Sequence, residues 1–135
     1  SPALFEERVT PTLVELARKF PGKLAYYGKG TQPDFLNAGL RGAPFAGFGF
    51  DHRWNLPALF SRQDLPGFIQ GNFDQALLFC DEREFRLQLE NYLRTFKQTS
   101  EVLSRWVCGL GHGVLPKTPE SHVHYFVQRV REVFQ

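Results

Sequence analysis

Four short apolar segments, each ending in a turn of glycine or polar residues, constrain the fold of this chain more than any other feature. They occupy residues 24–27, 46–50, 68–70 and 105–110, and a stretch with helical spacing follows each of them. Strands that alternate with helices pair in parallel, because each helical connection returns the chain to the same edge of the sheet. The sequence therefore predicts an α/β fold in which four parallel strands alternate with helices packed outside the sheet.

The helical segments are recognised by apolar residues that recur every three to four positions. In the first segment, residues 5–20, Pro11 predicts either a kink or a restart of the helix, with Thr10 as the cap. A short helical piece at 33–36 is expected to end at Gly39.

The two longest helices carry clear start signals. Asp81 followed by Glu84 forms a capping pattern, and Thr118 is the expected cap of a last helix that begins with Pro119. A shorter helix is predicted at 56–60. The side chains predicted to be buried are Phe85, Leu89, Tyr92, Leu93 and Phe96 in the first long helix, and Val123, Phe126, Val127, Val130 and Val133 in the second.

The composition predicts one globular unit, residues 1–135, with a substantial core, because 42% of the residues are hydrophobic and 22% are charged. The formal net charge of +2 is small and the basic residues are scattered, so a nucleic-acid partner is not expected. No apolar stretch has the length of a bilayer span, so a membrane partner is not expected either.

The cysteines and the start of the chain indicate its context. Cys80 and Cys108 lie far apart in dissimilar segments without metal-binding spacing, which favours reduced thiols and a cytoplasmic location. The chain has no methionine and begins at Ser1 directly before helix-like residues. We therefore expect it to be part of a longer protein.

Polar residues follow every predicted strand: Lys29, Asp51, Asn72 with Asp74, and His112. The carboxyl ends of parallel strands share one edge of a sheet, and α/β proteins bind their ligands there. Four such units are half of an eight-stranded barrel, but an open four-stranded sheet could also stand alone, and periodicity does not choose between them.

His112 is the strongest candidate for ligand contact. It stands between Gly111 and Gly113, which permit close approach of a ligand or unusual backbone angles. An imidazole can donate a hydrogen bond while neutral and carries positive charge when protonated, so it suits a carboxylate ligand. The alternative is a structural histidine in a turn.

The other turn residues have structural roles as their main alternatives. Asn72 and Asp74 could orient a ligand, but side chains of this type more often tie neighbouring loops together. Lys29 is either an anion contact or a solvated turn lysine, and for Asp51 bracing of the loop is favoured over catalysis. The pair His122 and His124 is expected on the surface, because two positions apart on a helix is not metal-binding spacing.

Two stretches in combination carry a resemblance to a known family: LGHGVLP at 110–116, followed by a helix that begins with Thr-Pro, and QGNFD at 70–74. YGKG at 27–30 and GFD at 49–51 support it. Taken together, the chain resembles the C-terminal half of the uroporphyrinogen decarboxylase family over nearly all of its length. It departs from the family pattern at Gln75, where proline is usual, and at His52, where tryptophan is usual.

The resemblance implies the C-terminal half of a (β/α)8 barrel, in a protein that is usually a homodimer. It also implies removal of the acetate carboxylates of uroporphyrinogen to give coproporphyrinogen, in haem biosynthesis, without metal or organic cofactor. His112 matches the family's substrate-contacting histidine. The resemblance assigns a role to His112 alone; the strand-end turns themselves offer further residues that could line the cleft, namely Gly111, Gly113, Asn72, Asp74, Lys29 and Asp51.

The same resemblance assigns no catalytic residue to this stretch, because the family's arginines, aspartate and tyrosine precede it. The chain alone is therefore expected to be inactive, and either to self-associate through its exposed sheet or to need the N-terminal half of the barrel as a partner.

Two other functions stay open. One is a cobalamin-linked methyltransferase of the same barrel superfamily, which needs zinc bound by histidine and cysteine; here only Cys108 lies near His112, and stoichiometric bound zinc would favour it. The other is a non-catalytic half-barrel that binds tetrapyrroles or a protein partner.

Overall fold

The fold contains four β-strands and six α-helices within residues 1–97 and 104–134, which are the residues that the structure, a computed structural model, describes. The strands are β1 (Ala25–Tyr27), β2 (Gly47–Gly49), β3 (Phe68–Phe73) and β4 (Trp106–Leu110). The helices are α1 (Pro2–Arg8), α2 (Thr10–Lys19), α3 (Ala38–Arg41), α4 (Leu56–Phe60), α5 (Glu82–Phe96) and α6 (Glu120–Phe134), with 3-10 turns at Pro33–Phe35 and Gln75–Phe79. Within these ranges no helix combines the length and the apolar character needed to cross a bilayer.

All four strands are parallel, and they are arranged in the sheet in the order in which they occur in the sequence. The register places Tyr27, Gly49, Gln70 and Val107 in one row across the sheet. A doubly wound sheet reverses its strand order at a switch point, whereas consecutive strands of a (β/α)8 barrel are neighbours. The predicted α/β fold of four parallel strands alternating with helices is confirmed, and its strand order is that of barrel units.

The two faces of the sheet differ in what covers them. Phe48, Ile69 and Phe73 lie on the face that carries the helices and are almost completely buried. On the opposite face Tyr27 is 44% exposed and Val107 is 43% exposed. In a (β/α)8 barrel the helices form the outer ring and the other face of the strands lines the interior. The bare face of this sheet therefore corresponds to the inside of a barrel.

Helices α5 and α6 cover β3 and β4. Asp81 caps α5 as predicted, because its side chain accepts a hydrogen bond from the backbone N–H of Glu84 at 2.9 Å. Glu90 of α5 and Arg129 of α6 form an ion pair between the two helices. The buried side chains beneath them are Phe73, Leu78, Phe85, Leu89, Leu93 and Phe126.

All four strands differ from the prediction in their bounds, and β1 differs in its burial as well. β3 continues to Phe73 instead of ending at Gln70, because Gly71 and Asn72, which have turn-like character, stay paired with β4. β1 is predicted to be buried, but Ala25 and Tyr27 are exposed, because they lie on the face of the sheet that no helix covers. The remaining two strands are each shorter than predicted by one or two residues.

Two predicted helix ends are wrong, although the restart between α1 and α2 is confirmed. Gly39 lies inside α3 instead of ending a helix, because Asn37 caps α3 by accepting a hydrogen bond from the N–H of Leu40. Thr10 does not cap α2. Its hydroxyl donates to the carbonyl of Phe5 and accepts a hydrogen bond from the Asn37 side chain at 2.8 Å.

The last helix also corrects three expectations. The hydroxyl of Thr118 donates to the carbonyl of Leu115 at 2.7 Å instead of capping α6, which begins two residues later. Val127 lies outside the buried face and is 41% exposed. His122 is half-buried instead of lying on the surface, because its ring stacks on Phe85 of α5 with ring centroids 4.6 Å apart.

Candidate functional site

The carboxylate of Asp51 joins the turns that follow β1 and β2. The side chain is 2% exposed. Its Oδ2 accepts a hydrogen bond from the N–H of Gly30 at 2.7 Å, and its Oδ1 accepts one from the N–H of Arg53 at 3.0 Å. A carboxylate whose two oxygens are held by backbone N–H groups braces the loops that contain them. In this geometry Asp51 braces the two turns.

The side chain of Asn72 joins β3 to the turn after β2. It is buried, and its Nδ2 donates to the carbonyls of Asp51 and Trp54, both at 2.8 Å. Its backbone N–H donates to the hydroxyl of Tyr92 at 2.5 Å, and this hydroxyl donates to the carbonyl of Gly71 at 2.7 Å. Burial raises the pKa of Tyr92, so the hydroxyl keeps its proton and remains a donor.

The turn after β4 is fixed from three directions at Gly111. Its N–H donates to the carbonyl of Phe73 at 2.7 Å, and its carbonyl accepts a hydrogen bond from the hydroxyl of Tyr27, also at 2.7 Å. A Cβ on Gly111 would lie 2.5 Å from the backbone nitrogen of His52, so only glycine fits here. The residue immediately before His112 is thus held by the turn after β2 and by the ends of β1 and β3.

His112 borders a hollow of about 380 Å³ at the carboxyl end of the bare face. The ring is partly exposed, and its Nδ1 lies 3.2 Å from the carbonyl oxygen of Gly113. A Cβ on Gly113 would meet nothing within 4 Å, so packing does not require this glycine. The other lining residues are Tyr27, Gly49, Phe50, Gln70, Leu110 and Gly113.

The structure distributes the remaining candidates over different places. Asn72 and Asp74 border a second hollow, of about 340 Å³, together with Tyr92 of α5. Lys29 is exposed on its turn and Asp51 is buried in the bracing contacts, and neither borders the His112 hollow. Contact of these side chains with a ligand stays a prediction.

Tyr27 and Gln70 also line the His112 hollow, although neither is a candidate predicted from the sequence. Tyr27 holds the histidine turn and Gln70 lies in the same row of the sheet, next to Gly49. Burial raises the pKa of Tyr27, the charge of Asp51 raises it further, and the charge of Arg53 opposes this. Side chains alternate between the two faces of a strand, and neighbouring parallel strands are in register. These two rules together would have placed Tyr27 and Gln70 on the same face of the sheet.

The part of the chain that the structure describes holds no group of three histidine, cysteine or acidic side chains arranged to bind a metal ion. Burial raises the pKa of Cys108 to about 12, so this side chain is a neutral thiol at neutral pH.

Comparison with known proteins matches residues 1–133 to uroporphyrinogen decarboxylase (URO-D). The uroporphyrinogen decarboxylase of Thermus thermophilus is 30% identical over 137 residues, which cover 98% of this chain and 38% of that protein. That of Dictyostelium discoideum is 27% identical over 140 residues, covering 98% of this chain and 36% of the relative. That of Chlamydia trachomatis is 40% identical over 77 residues, which cover 57% of this chain and 22% of that protein. The chain spans well under half the length of these relatives, but the match extends over nearly all of it, and the chain therefore belongs to the uroporphyrinogen decarboxylase family.

Proposed function

We propose that this chain supplies one wall of the tetrapyrrole site of a uroporphyrinogen decarboxylase. The protein to which it belongs would remove the four acetate carboxylates of uroporphyrinogen III to give coproporphyrinogen III in haem biosynthesis. The observation that carries the proposal is the placement of His112. It lies on a turn held by Tyr27 and Phe73, beside a hollow on the face that would be the interior of a barrel.

For the proposed decarboxylation, this wall of the site needs side chains that bind the substrate more than side chains that react with it. The substrate carries eight carboxylates, so hydrogen-bond donors are needed around the cleft. When CO2 leaves, the electrons of the broken bond pass into a protonated pyrrole, and protein groups position the macrocycle and stabilise the developing charge. In this scheme His112 donates a hydrogen bond to the substrate and is not the main proton donor. The reaction as proposed uses neither metal nor organic cofactor.

The face of the sheet that no helix covers is evidence that this chain packs against a partner. Tyr27, Gln70 and Val107 are exposed there, and in a closed barrel such side chains meet those of the other strands. We propose that the partner is the N-terminal half of the same barrel and that the complete protein is a homodimer in the cytoplasm. The free thiols of Cys80 and Cys108 fit a reducing compartment.

Binding of uroporphyrin, the stable oxidised form of the substrate, tests the role of His112. Porphyrin fluorescence anisotropy on titration with the chain gives the Kd. Replacement of His112 by alanine is expected to raise the Kd about tenfold, because a hydrogen bond to a charged group is lost. His124→Ala is the matched control, since His124 is exposed on α6 away from the hollow. Absence of binding, or equal effects of the two substitutions, would contradict the proposal.

Turnover by the chain alone is expected to be undetectable, because the resemblance places the family's catalytic residues outside this stretch. The chain is incubated with uroporphyrinogen under anaerobic conditions and the products are separated by chromatography. Formation of coproporphyrinogen would show that residues of this chain are sufficient for the chemistry, contrary to the assignment made here.

A further inference from the structure

The turn after β2 places an arginine at the edge of the sheet where the candidate site lies. Arg53 is the one arginine on the four turns that follow the strands, all of which lie in the described ranges. Its backbone N–H is bonded to Asp51, so the position of the residue does not depend on its side chain. The side chain itself is 56% exposed.

The guanidinium of Arg53 is only loosely paired. Its Nε lies 3.9 Å from Oδ2 of Asp51, which is beyond hydrogen-bond distance, and that oxygen already accepts a hydrogen bond from Gly30. In residues 1–97 and 104–134 this contact is its only ion pair. Its Nη1 lies 3.4 Å from the position that a Cβ on Gly30 would take. The charged end therefore lies against the turn that carries Lys29.

Two arginines elsewhere in the described residues, Arg62 and Arg129, are engaged in structural pairs. Arg62 donates two hydrogen bonds to the carboxylate of Asp64, both at 2.9 Å. Arg129 binds the carboxylates of Glu90 and Glu132 at the same time. In contrast, the terminal nitrogens of Arg53 retain their capacity to donate. A guanidinium presents a planar fork that matches a carboxylate with two parallel hydrogen bonds.

The surroundings of Arg53 favour a negatively charged partner. Asp51 is buried with both oxygens engaged, and Oδ1 of Asp74 accepts the N–H of Ala76 at 2.9 Å. Lys29 is exposed on the adjacent turn. The charge of Arg53 also acts on the hydroxyl of Tyr27, which borders the same hollow as His112, but the opposite charge of Asp51 has the larger effect on the pKa of this hydroxyl. A carboxylate that reaches this edge therefore meets the exposed donors of Arg53 and Lys29, whereas the carboxylate of Asp51 is buried.

We propose that Arg53, which lies on the turn after β2 and outside the residues that line the His112 hollow, binds a carboxylate at the periphery of the tetrapyrrole. This inference rests on the proposed function, because it takes the tetrapyrrole as the ligand. The role of Arg53 is to hold the macrocycle by its periphery while His112 contacts it deeper in the site. Lys29, which is exposed on the neighbouring turn, adds a second positive charge.

Uroporphyrin binding to Arg53→Gln and to Arg18→Gln tests the proposal, using the complete chain. Both substitutions remove one positive charge, but Arg18 is exposed at the end of α2, which precedes β1 and so lies at the opposite edge of the sheet. We expect Arg53→Gln to raise the Kd about tenfold and Arg18→Gln by less than about twofold. Added salt should reduce the difference between the two variants, since an exposed charge pair is screened.

The outcomes separate this inference from the function on which it rests. If the unsubstituted chain does not bind uroporphyrin, the proposed function fails and Arg53 loses its ligand. If the chain binds, His112→Ala weakens binding and the two glutamine variants behave alike, the role of Arg53 alone is overturned. Arg53→Lys keeps the positive charge but loses the planar guanidinium that can bind a carboxylate through two hydrogen bonds. This variant tests the role of Arg53 if Arg53→Gln does not fold. A Kd about threefold higher supports the proposal and an unchanged Kd overturns it.

Discussion

Replacement of Gly67 by alanine is expected to lower the free energy of unfolding by about 3–5 kcal/mol. Gly67 precedes β3 with a φ of +67°, where an L-residue is strained. In addition, a Cβ here would lie 1.8 Å from the carbonyl oxygen of Ala46. That oxygen accepts the hydrogen bond from Phe68 that begins the pairing of β2 with β3, so the clash is with backbone that cannot move freely.

Gly22 provides a matched control for this experiment. Its φ is +68°, but a Cβ there would meet nothing within 4 Å. Gly22→Ala therefore carries only the backbone cost, about 1 kcal/mol, and the difference between the two variants isolates the steric contribution. Urea unfolding followed by tryptophan fluorescence measures both. Equal destabilisation of the two variants would show that β3 can shift away from Ala46, against the geometry described here.

The alternation of strands and helices was readable in the sequence because local signals determine it. Asp81 and the apolar spacing of α5 act within one helix, and both were predicted correctly. The end of β3 was not predicted correctly, because Gly71 and Asn72 have the character of a turn when they are considered alone. Their pairing depends on β4, more than thirty residues further along the chain. The half-burial of His122 has the same origin, since its partner Phe85 belongs to another helix.

The candidate site was predictable in outline and not in detail. Parallel strands require their carboxyl ends to share an edge, so the gathering of the strand-end turns followed from the fold class. The assignment of each side chain to bracing or to the hollow did not follow. Tyr27 reaches Gly111 across 84 positions of sequence, and Asn72 faces Asp51 rather than the His112 hollow. Such contacts depend on how the turns pack, which periodicity does not specify.

Asn72→Asp is expected to lower the free energy of unfolding by about 4 kcal/mol at neutral pH. The substitution preserves size but replaces the donor Nδ2 with an oxygen, which would face the carbonyl oxygens of Asp51 and Trp54 at the 2.8 Å that Nδ2 now spans. One buried and one partly buried carbonyl would lose their partner, and a charge would enter a site that is 7% exposed. Asn55→Asp is the control, because Asn55 acts as an acceptor in the cap of α4 and an aspartate can do the same.

The pH dependence of the same variant distinguishes lost donation from a general loss of packing. Burial and the carbonyl oxygens would raise the pKa of the introduced carboxyl above its value in the unfolded chain. A raised pKa means that stability is lost as the pH rises through it, so the deficit of Asn72→Asp relative to the unsubstituted chain should shrink as the pH falls from 7 toward 5. The protonated acid can donate one hydrogen bond and thus restores part of the link between β3 and the turn after β2. A deficit that does not change with pH would mean that the Asn72 amide does not act through donation, and that Asp51 and Trp54 are held in place by their packing alone.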